Sequence, residues 1–340
     1  MQETYRKLAS VCIIDDIVEM KNCDNICLVK IKGWQVVAQK NLFKVNDKCI
    51  YIEIDSILPV DNIHFADFEG KCIKTKKIRG ELSQGVVFPL DILPEIVNDI
   101  KREELPENTN LTEVLNILKY DDSGLSNDKP NAWPSNLPKT DEERIQNIFK
   151  DLKNSFKEEE LVFIETEKLD GTSFTAFLDS DKLVVCSRNY IVDEDNDLYK
   201  VALNTNVKDK LIEIRNKYNL NAMLQGECIG PKIQNNRYKL NDRKVFFFRM
   251  FNINDLKFVD FEKFLDIAKD LNILTVPIIN YNYVLPENIK ILLNHVNGNS
   301  ALCKTTKREG SVFIMKNKLN YNQNRLSFKA ISNEFLLKQK

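Results

Sequence analysis

The sequence predicts an α+β protein in two parts: a small β-barrel, then a larger domain of antiparallel sheets with peripheral helices. Three observations carry this. Up to about residue 90, short apolar runs rich in Val, Ile, Trp and Tyr alternate with turn dipeptides. A stretch dense in Asp, Ser, Asn, Gly and Pro interrupts the chain before residue 140. Beyond it, apolar strand-like runs alternate with amphipathic helical stretches. The expected division is a barrel domain with a helical extension over 1–125, a linker over 126–139 and a second domain over 140–340.

A chain of 340 residues can fill two cores. With 49 Lys and Arg against 50 Asp and Glu, the net charge is −1, so any basic surface must be local. No apolar run has the length of a membrane span and no signal-peptide pattern is visible, which predicts an intracellular protein, cytoplasmic or nuclear, without a membrane partner. Only two histidines are present, which argues against a His-rich metal site or a His-based triad. The eight cysteines lack zinc-like spacing. Cys27, Cys49, Cys186 and Cys228 lie in apolar runs and are expected to be buried free thiols.

The strand runs of the first part cover 26–40, 48–59 and 85–90, with Lys32-Gly33 and Asn46-Asp47 as hairpin loops. Several short strands at close spacing suggest an OB-fold. The segment from Lys77 to Pro89 is similar to one in tRNA-binding OB domains. Lys76, Lys77 and Arg79 then form either a platform for nucleic-acid phosphates or an ordinary charged face. From Leu90 to Lys119 the pattern turns helical and acidic. In the linker, Trp133 is placed to pin the segment to one domain.

Thr140 and Glu143 form a capping-box pattern that predicts a helix running through residue 156, with Arg144 in its first turn. Helices prefer acids there, so Arg144 hints at another role. Strands are expected at 174–178, 183–186, around 222–227, 244–253, 312–315 and 326–331. Helices are expected at 206–219, 261–271 and 287–296, with a helical tail. Between them, Leu161–Ile164 reads as a buried strand running into Lys168, Leu169, Asp170 and Gly171. An amine at such a strand-to-turn junction, partly desolvated, can lose its proton and become a nucleophile. A solvated surface turn is the alternative.

Downstream come CSRNY at Cys186, QGECIG at Gln225, VFFFRMFNI at Val245, EGSVFIMK at Glu309 and SFKAIS at Ser327. This ordered set resembles the covalent nucleotidyltransferases: ATP-dependent RNA and DNA ligases and mRNA capping enzymes. The resemblance implies a nucleotidyltransferase (ATP-grasp-like ligase) domain in which Lys168 attacks ATP and carries AMP. Asp170, Glu227 and Glu309 would be the carboxylates of a Mg²⁺ or Mn²⁺ site, reached through water, and Lys329 the cation at the α-phosphate. Arg144 and Arg188 would bind nucleotide or RNA phosphate and ribose, and Phe248 would stack on the purine, leaving Phe247 and Phe251 to the core. Glu165 is assigned to cofactor binding. The family's second basic residue near the last lysine is replaced by Ile331, with Arg325 or Lys316 as substitutes.

An OB module before the catalytic domain, rather than after it, looks like RNA ligases of the Deinococcus and Naegleria type. That implies a monomer sealing 3′-OH/5′-phosphate breaks in RNA or in nicked duplexes with RNA on the 3′-OH side. A DNA ligase, a capping guanylyltransferase and a non-catalytic OB-type RNA-binding protein are the alternatives.

Overall fold

Strands β1 (Ala9–Ile13), β2 (Asp16–Glu19), β3 (Ile26–Ile31), β4 (Trp34–Gln39) and β5 (Lys48–Ile52) form where the sequence alternates β-branched and polar residues. Short strands β6 (Lys76–Ile78), β7 (Glu81–Ser83) and β8 (Val86–Phe88) follow. The computed structural model describes residues 7–68, 70–120, 132–139, 141–157, 160–316 and 326–338. It divides the chain into two units: Met1–Leu125, Ile145–Ser155 and Leu336–Lys340 in one, Ser126–Arg144 and Phe156–Phe335 in the other.

In the first unit the sheets run β1-β5-β8 and β2-β3-β4, with β6 and β7 as a separate hairpin. Their inward faces share a core of Cys12, Ile14, Val29, Ile31, Trp34 and Tyr51. Lys32, at φ 54°, makes the tight β3–β4 turn expected of Lys32-Gly33. Asn46-Asp47 is not a hairpin, because β5 pairs with β1 and β8 rather than β4. Helix α1 (Ile145–Ser155) belongs to this unit. Trp34 Nε1 donates to Asn147 Oδ1 at 2.7 Å, Gly33 N–H to the Gln146 carbonyl at 3.1 Å, and Lys150 pairs with Asp15.

The helical extension expected over Leu90–Lys119 is absent; that stretch holds only 3₁₀ turns and two-residue strands. Pro94 and Pro106 interrupt it, and Asn98, Asp99, Asn108 and Asn116 all take positive φ, which no helix accommodates. Helix α1 also starts later than the capping box predicts. Thr140 lies outside the described residues, and Glu143–Arg144 forms strand β9, parallel to Phe328–Lys329. Pairing with a distant strand overrides the local helical signal.

The second unit contains β10 (Val162–Lys168), β11 (Thr172–Asp179), β12 (Lys182–Cys186), β13 (Ala222–Ile229), β14 (Lys244–Asn252) and β15 (Lys257–Phe258). It continues with β16 (Ile278–Val284), β17 (Gly310–Met315) and β18 (Ser327–Ile331). Two five-stranded sheets result, ordered β9-β18-β17-β10-β16 and β12-β11-β13-β14-β15. Ile164 and Ile314 from one sheet, and Phe174, Leu224 and Phe247 from the other, enter one core with helices α3 (Val207–Tyr218) and α4 (Phe261–Asp270). The Asp260 carboxylate caps α4, accepting the Glu262 and Lys263 N–H groups. Helix α2 (Asp197–Asn204) and strand β16 were not anticipated; the alternating asparagines of β16 blur its apolar period. Helix α5 (Ile289–His295) and the closing α6 (Asn333–Leu336) fall where expected. Among the described residues no helix is long and apolar enough to cross a membrane.

The sheet carrying Lys168 depends on one close approach. A Cβ on Gly310 would lie 2.2 Å from the Ala330 carbonyl oxygen and 2.9 Å from Ile331 Cα. Gly310→Ala is therefore expected to cost about 1–3 kcal/mol through forced separation of β17 and β18. A thermal or denaturant melt reads it, and an unchanged midpoint would contradict it.

Candidate active site

Lys168 is the last residue of β10, paired in register with Gly310. Leu169 is buried, and Asp170-Gly171 then carries the chain from one sheet into the other. The crossing is tight: a Cβ on Gly171 would sit 2.3 Å from the Cys228 carbonyl oxygen. The Gly171 N–H donates to Glu227 Oε1 at 3.0 Å, which fixes a carboxylate of β13 beside the junction. Glu309, one residue before β17, receives the Lys168 amine at 2.6 Å. The Asp170 N–H donates to the Tyr238 hydroxyl at 2.7 Å, and the Asp170 carboxylate is held by Arg237. One amine and three carboxylates thus meet where the two sheets join.

The electrostatics differ from the sequence expectation, in which cations push the amine toward neutrality. Burial does disfavour the Lys168 charge, but Glu309, Glu227 and Asp170 outweigh it and hold its pKa above that of ordinary lysine. Burial pushes Glu309 up, an effect that Lys168 and Lys329 oppose. Burial, with Glu309 and Asp170 as like charges, pushes Glu227 up to about 8. Glu309 Oε2 is buried with no hydrogen-bond partner.

Because the Glu227 pKa is raised on folding, the folded protein binds more protons than the unfolded chain from the ordinary carboxyl range up to about 8. Its contribution to stability is complete at acid pH and falls as pH rises through that window. Glu227→Gln is expected to flatten this fall in melting temperature. An equally steep profile in the variant would contradict the assignment.

A second cluster gathers cations. Lys329 on β18 donates to Asp141 Oδ1 at 2.8 Å, and Arg188 approaches Asp141 Oδ2 at 3.8 Å. Next to it, Glu142 receives Arg249 at 2.8 Å and the Ser327 hydroxyl at 2.6 Å. Arg144 is buried on β9, in register with Lys329 and not in a helical first turn. Phe248 packs half-buried with Phe246, Leu169, Tyr238 and Val276, while Phe247 meets Phe174 edge-on in the core and Phe251 is buried elsewhere.

Glu165 is a correction. It is fully buried and held by the Ser311 hydroxyl at 2.6 Å and His295 Nε2 at 2.8 Å, so it braces β10 rather than opening to a cofactor. Lys316 donates to Asn282 at 2.7 Å, and Arg325 lies outside the described residues. All eight cysteines are free, with Cys27, Cys49, Cys186 and Cys228 buried.

Sequence reasoning missed Asp141, Arg237, Tyr238 and Glu167. Glu167 is buried, accepts the Ala301 N–H at 2.7 Å and keeps Oε1 without a hydrogen-bond partner. The acidic pair before Arg144 was a usable signal for Asp141. Arg237 and Tyr238 lie in an irregular loop with no period to mark them.

Two antiparallel sheets around one core, with a lysine ion-paired among carboxylates at their junction, define a nucleotidyltransferase-type catalytic unit. A family model described as RNA ligase matches residues 161–331, and an OB-fold domain model matches residues 8–90. The chain belongs to the RNA ligase family. It is similar to the Naegleria gruberi RNA ligase with pyrophosphate, at 31% identity and TM-score 0.83, over 98% of this chain and 99% of that one. A lysine-to-methionine variant of that ligase with AMP and manganese is 30% identical, at TM-score 0.84 and the same coverage. A lysine-to-alanine variant with ATP and manganese is 29% identical, again at TM-score 0.84 over 98% and 99%. No curated protein matches the chain in sequence.

Proposed function

We propose that this RNA ligase uses ATP and a divalent cation, Mg²⁺ or Mn²⁺, to seal 3′-OH/5′-phosphate breaks through a lysyl-AMP, on nicked duplexes whose 3′-OH strand is RNA. The observation that carries the reading is the Lys168–Glu309 pair at 2.6 Å beside Asp170 and Glu227. The ATP, AMP, pyrophosphate and manganese bound by the similar structures support it.

The donors suit a hard cation. They are carboxylate oxygens, one of them the unpartnered Glu309 Oε2, and among the described residues no three side chains converge closely enough to enclose an ion directly. Asp170, Glu227 and Glu309 would therefore hold it through retained waters. A bound cation supplies charge neutralisation, both of these carboxylates and of the phosphates.

In the first step the Lys168 amine, having lost its proton, attacks the α-phosphorus. The N–P bond forms, the bond to the bridging oxygen breaks and pyrophosphate leaves. A 5′-phosphate oxygen then displaces Lys168 from the AMP. Finally the 3′-OH loses its proton, attacks the activated 5′-phosphorus and expels AMP. Lys329 neutralises charge on the α-phosphate, Arg188 and Arg144 contact phosphate or ribose, and Phe248 stacks on the purine. Lys316 and Arg325 are the candidates for the missing second basic position.

The test is incubation with α-labelled ATP or GTP and Mg²⁺ or Mn²⁺, followed by denaturing electrophoresis and nick sealing. Acid-labile label from ATP, and sealing only where the 3′-OH strand is RNA, is expected. Label from GTP alone, or equal sealing of all-DNA nicks, would overturn the reading.

A further inference from the structure

Two loops beside Asp170 have no role in the chemistry above. One runs from Gly230 to Lys244 and carries five cations against one acid; the other, 302–308, carries three cations and no acid. In a chain of net charge −1 these are local positive blocks.

The loops are joined to each other. Thr306 Oγ1 donates to the Arg237 carbonyl at 2.8 Å, Arg237 donates to the Lys307 carbonyl, and Lys239 Nζ donates to Thr305 Oγ1 at 3.0 Å. Beneath them Leu240, Leu302 and Cys303 pack against Tyr238 and Leu169. Lys232, Gln234, Asn235, Asn236 and Lys239 all take positive φ, a conformation costly for each and kept only where the surroundings enforce it. The platform is also continuous with the reaction centre: Arg237 holds the Asp170 carboxylate and Tyr238 accepts its N–H.

We propose that this two-loop platform is the docking surface for the sugar-phosphate backbone of the RNA being sealed, with exposed Lys239 and Lys304 as its phosphate contacts. The inference rests on the ligase reading above. Lysines on a preorganised surface neutralise phosphates without reading bases, which suits an enzyme that joins strands of any sequence. Arg237, tied to Asp170, links that surface to the carboxylate cluster.

The test separates this step from ATP chemistry. Lys239→Ala/Lys304→Ala is compared with the unaltered protein in two assays: labelling by ATP, and sealing of a nicked duplex already carrying AMP on its 5′-phosphate. Labelling is expected to stay unchanged, while sealing at subsaturating nick falls about tenfold. The slope of log affinity against log salt should flatten by about 1.5, as expected for two lost phosphate contacts. Lys239→Arg/Lys304→Arg should restore sealing. Unchanged sealing and salt slope in the alanine variant would overturn the platform, as would an equal loss of labelling, which marks a folding defect. Failure of the unaltered protein to label or seal would instead overturn the ligase reading.

Discussion

Lys168→Arg is expected to yield a folded protein that takes no label from ATP, a loss of more than about a thousandfold in adduct formation. Arginine keeps the positive charge and can keep the ion pair to Glu309. It cannot give up its proton at any pH the protein survives, so it cannot attack phosphorus. The variant therefore separates the two roles of this side chain, since charge pairing survives and nucleophilicity does not. A melting temperature close to that of the unaltered protein, with no label, is the anticipated pair of results. Retained labelling would place the nucleophile elsewhere. The same variant should still seal a nick supplied with AMP already on its 5′-phosphate.

Lys329→Ala should slow adduct formation by about a hundredfold to a thousandfold, the range seen when a preorganised charge is removed from a developing anion. Lys329 is buried on β18 and held at 2.8 Å by Asp141, so its position is set before any phosphate arrives. Removing it leaves Asp141 with Arg188 at 3.8 Å and withdraws a charge that opposes the raised pKa of Glu309. Single-turnover labelling at saturating ATP measures the effect. A rate within about threefold of the unaltered protein would rule out the proposed role, because that is about 0.65 kcal/mol of barrier.

Much of this site was legible because its signals are local. Lys168, Asp170, Glu227, Glu309 and Lys329 each sit in a short stretch whose apolar neighbours predict a strand, and the strands form there. What was not legible depends on distant partners. Nothing near Arg144 announces that it pairs with Lys329 in a parallel strand, so a helix was expected through it. The acidic segment after Leu90 has helical spacing, yet its asparagines adopt left-handed turns. Glu165 reads like another carboxylate of the site, but Ser311 and His295 claim it from elements far along the chain. The charge state of Lys168 is likewise set by carboxylates from β13 and the start of β17, which no local window contains.

That charge state has a consequence for proton accounting. At rest Lys168 is an ammonium paired to Glu309, so the amine is latent and a poor target for adventitious electrophiles. Turning an ammonium into a phosphoramidate nitrogen sheds two protons, one before attack and one as the N–P bond forms. Departing pyrophosphate can rebind a proton near neutral pH, and the remainder goes to solvent. In the proposed reaction alkaline conditions therefore pull the equilibrium toward the adenylylated protein. Acid conditions, with pyrophosphate present, return AMP to ATP and restore the resting salt.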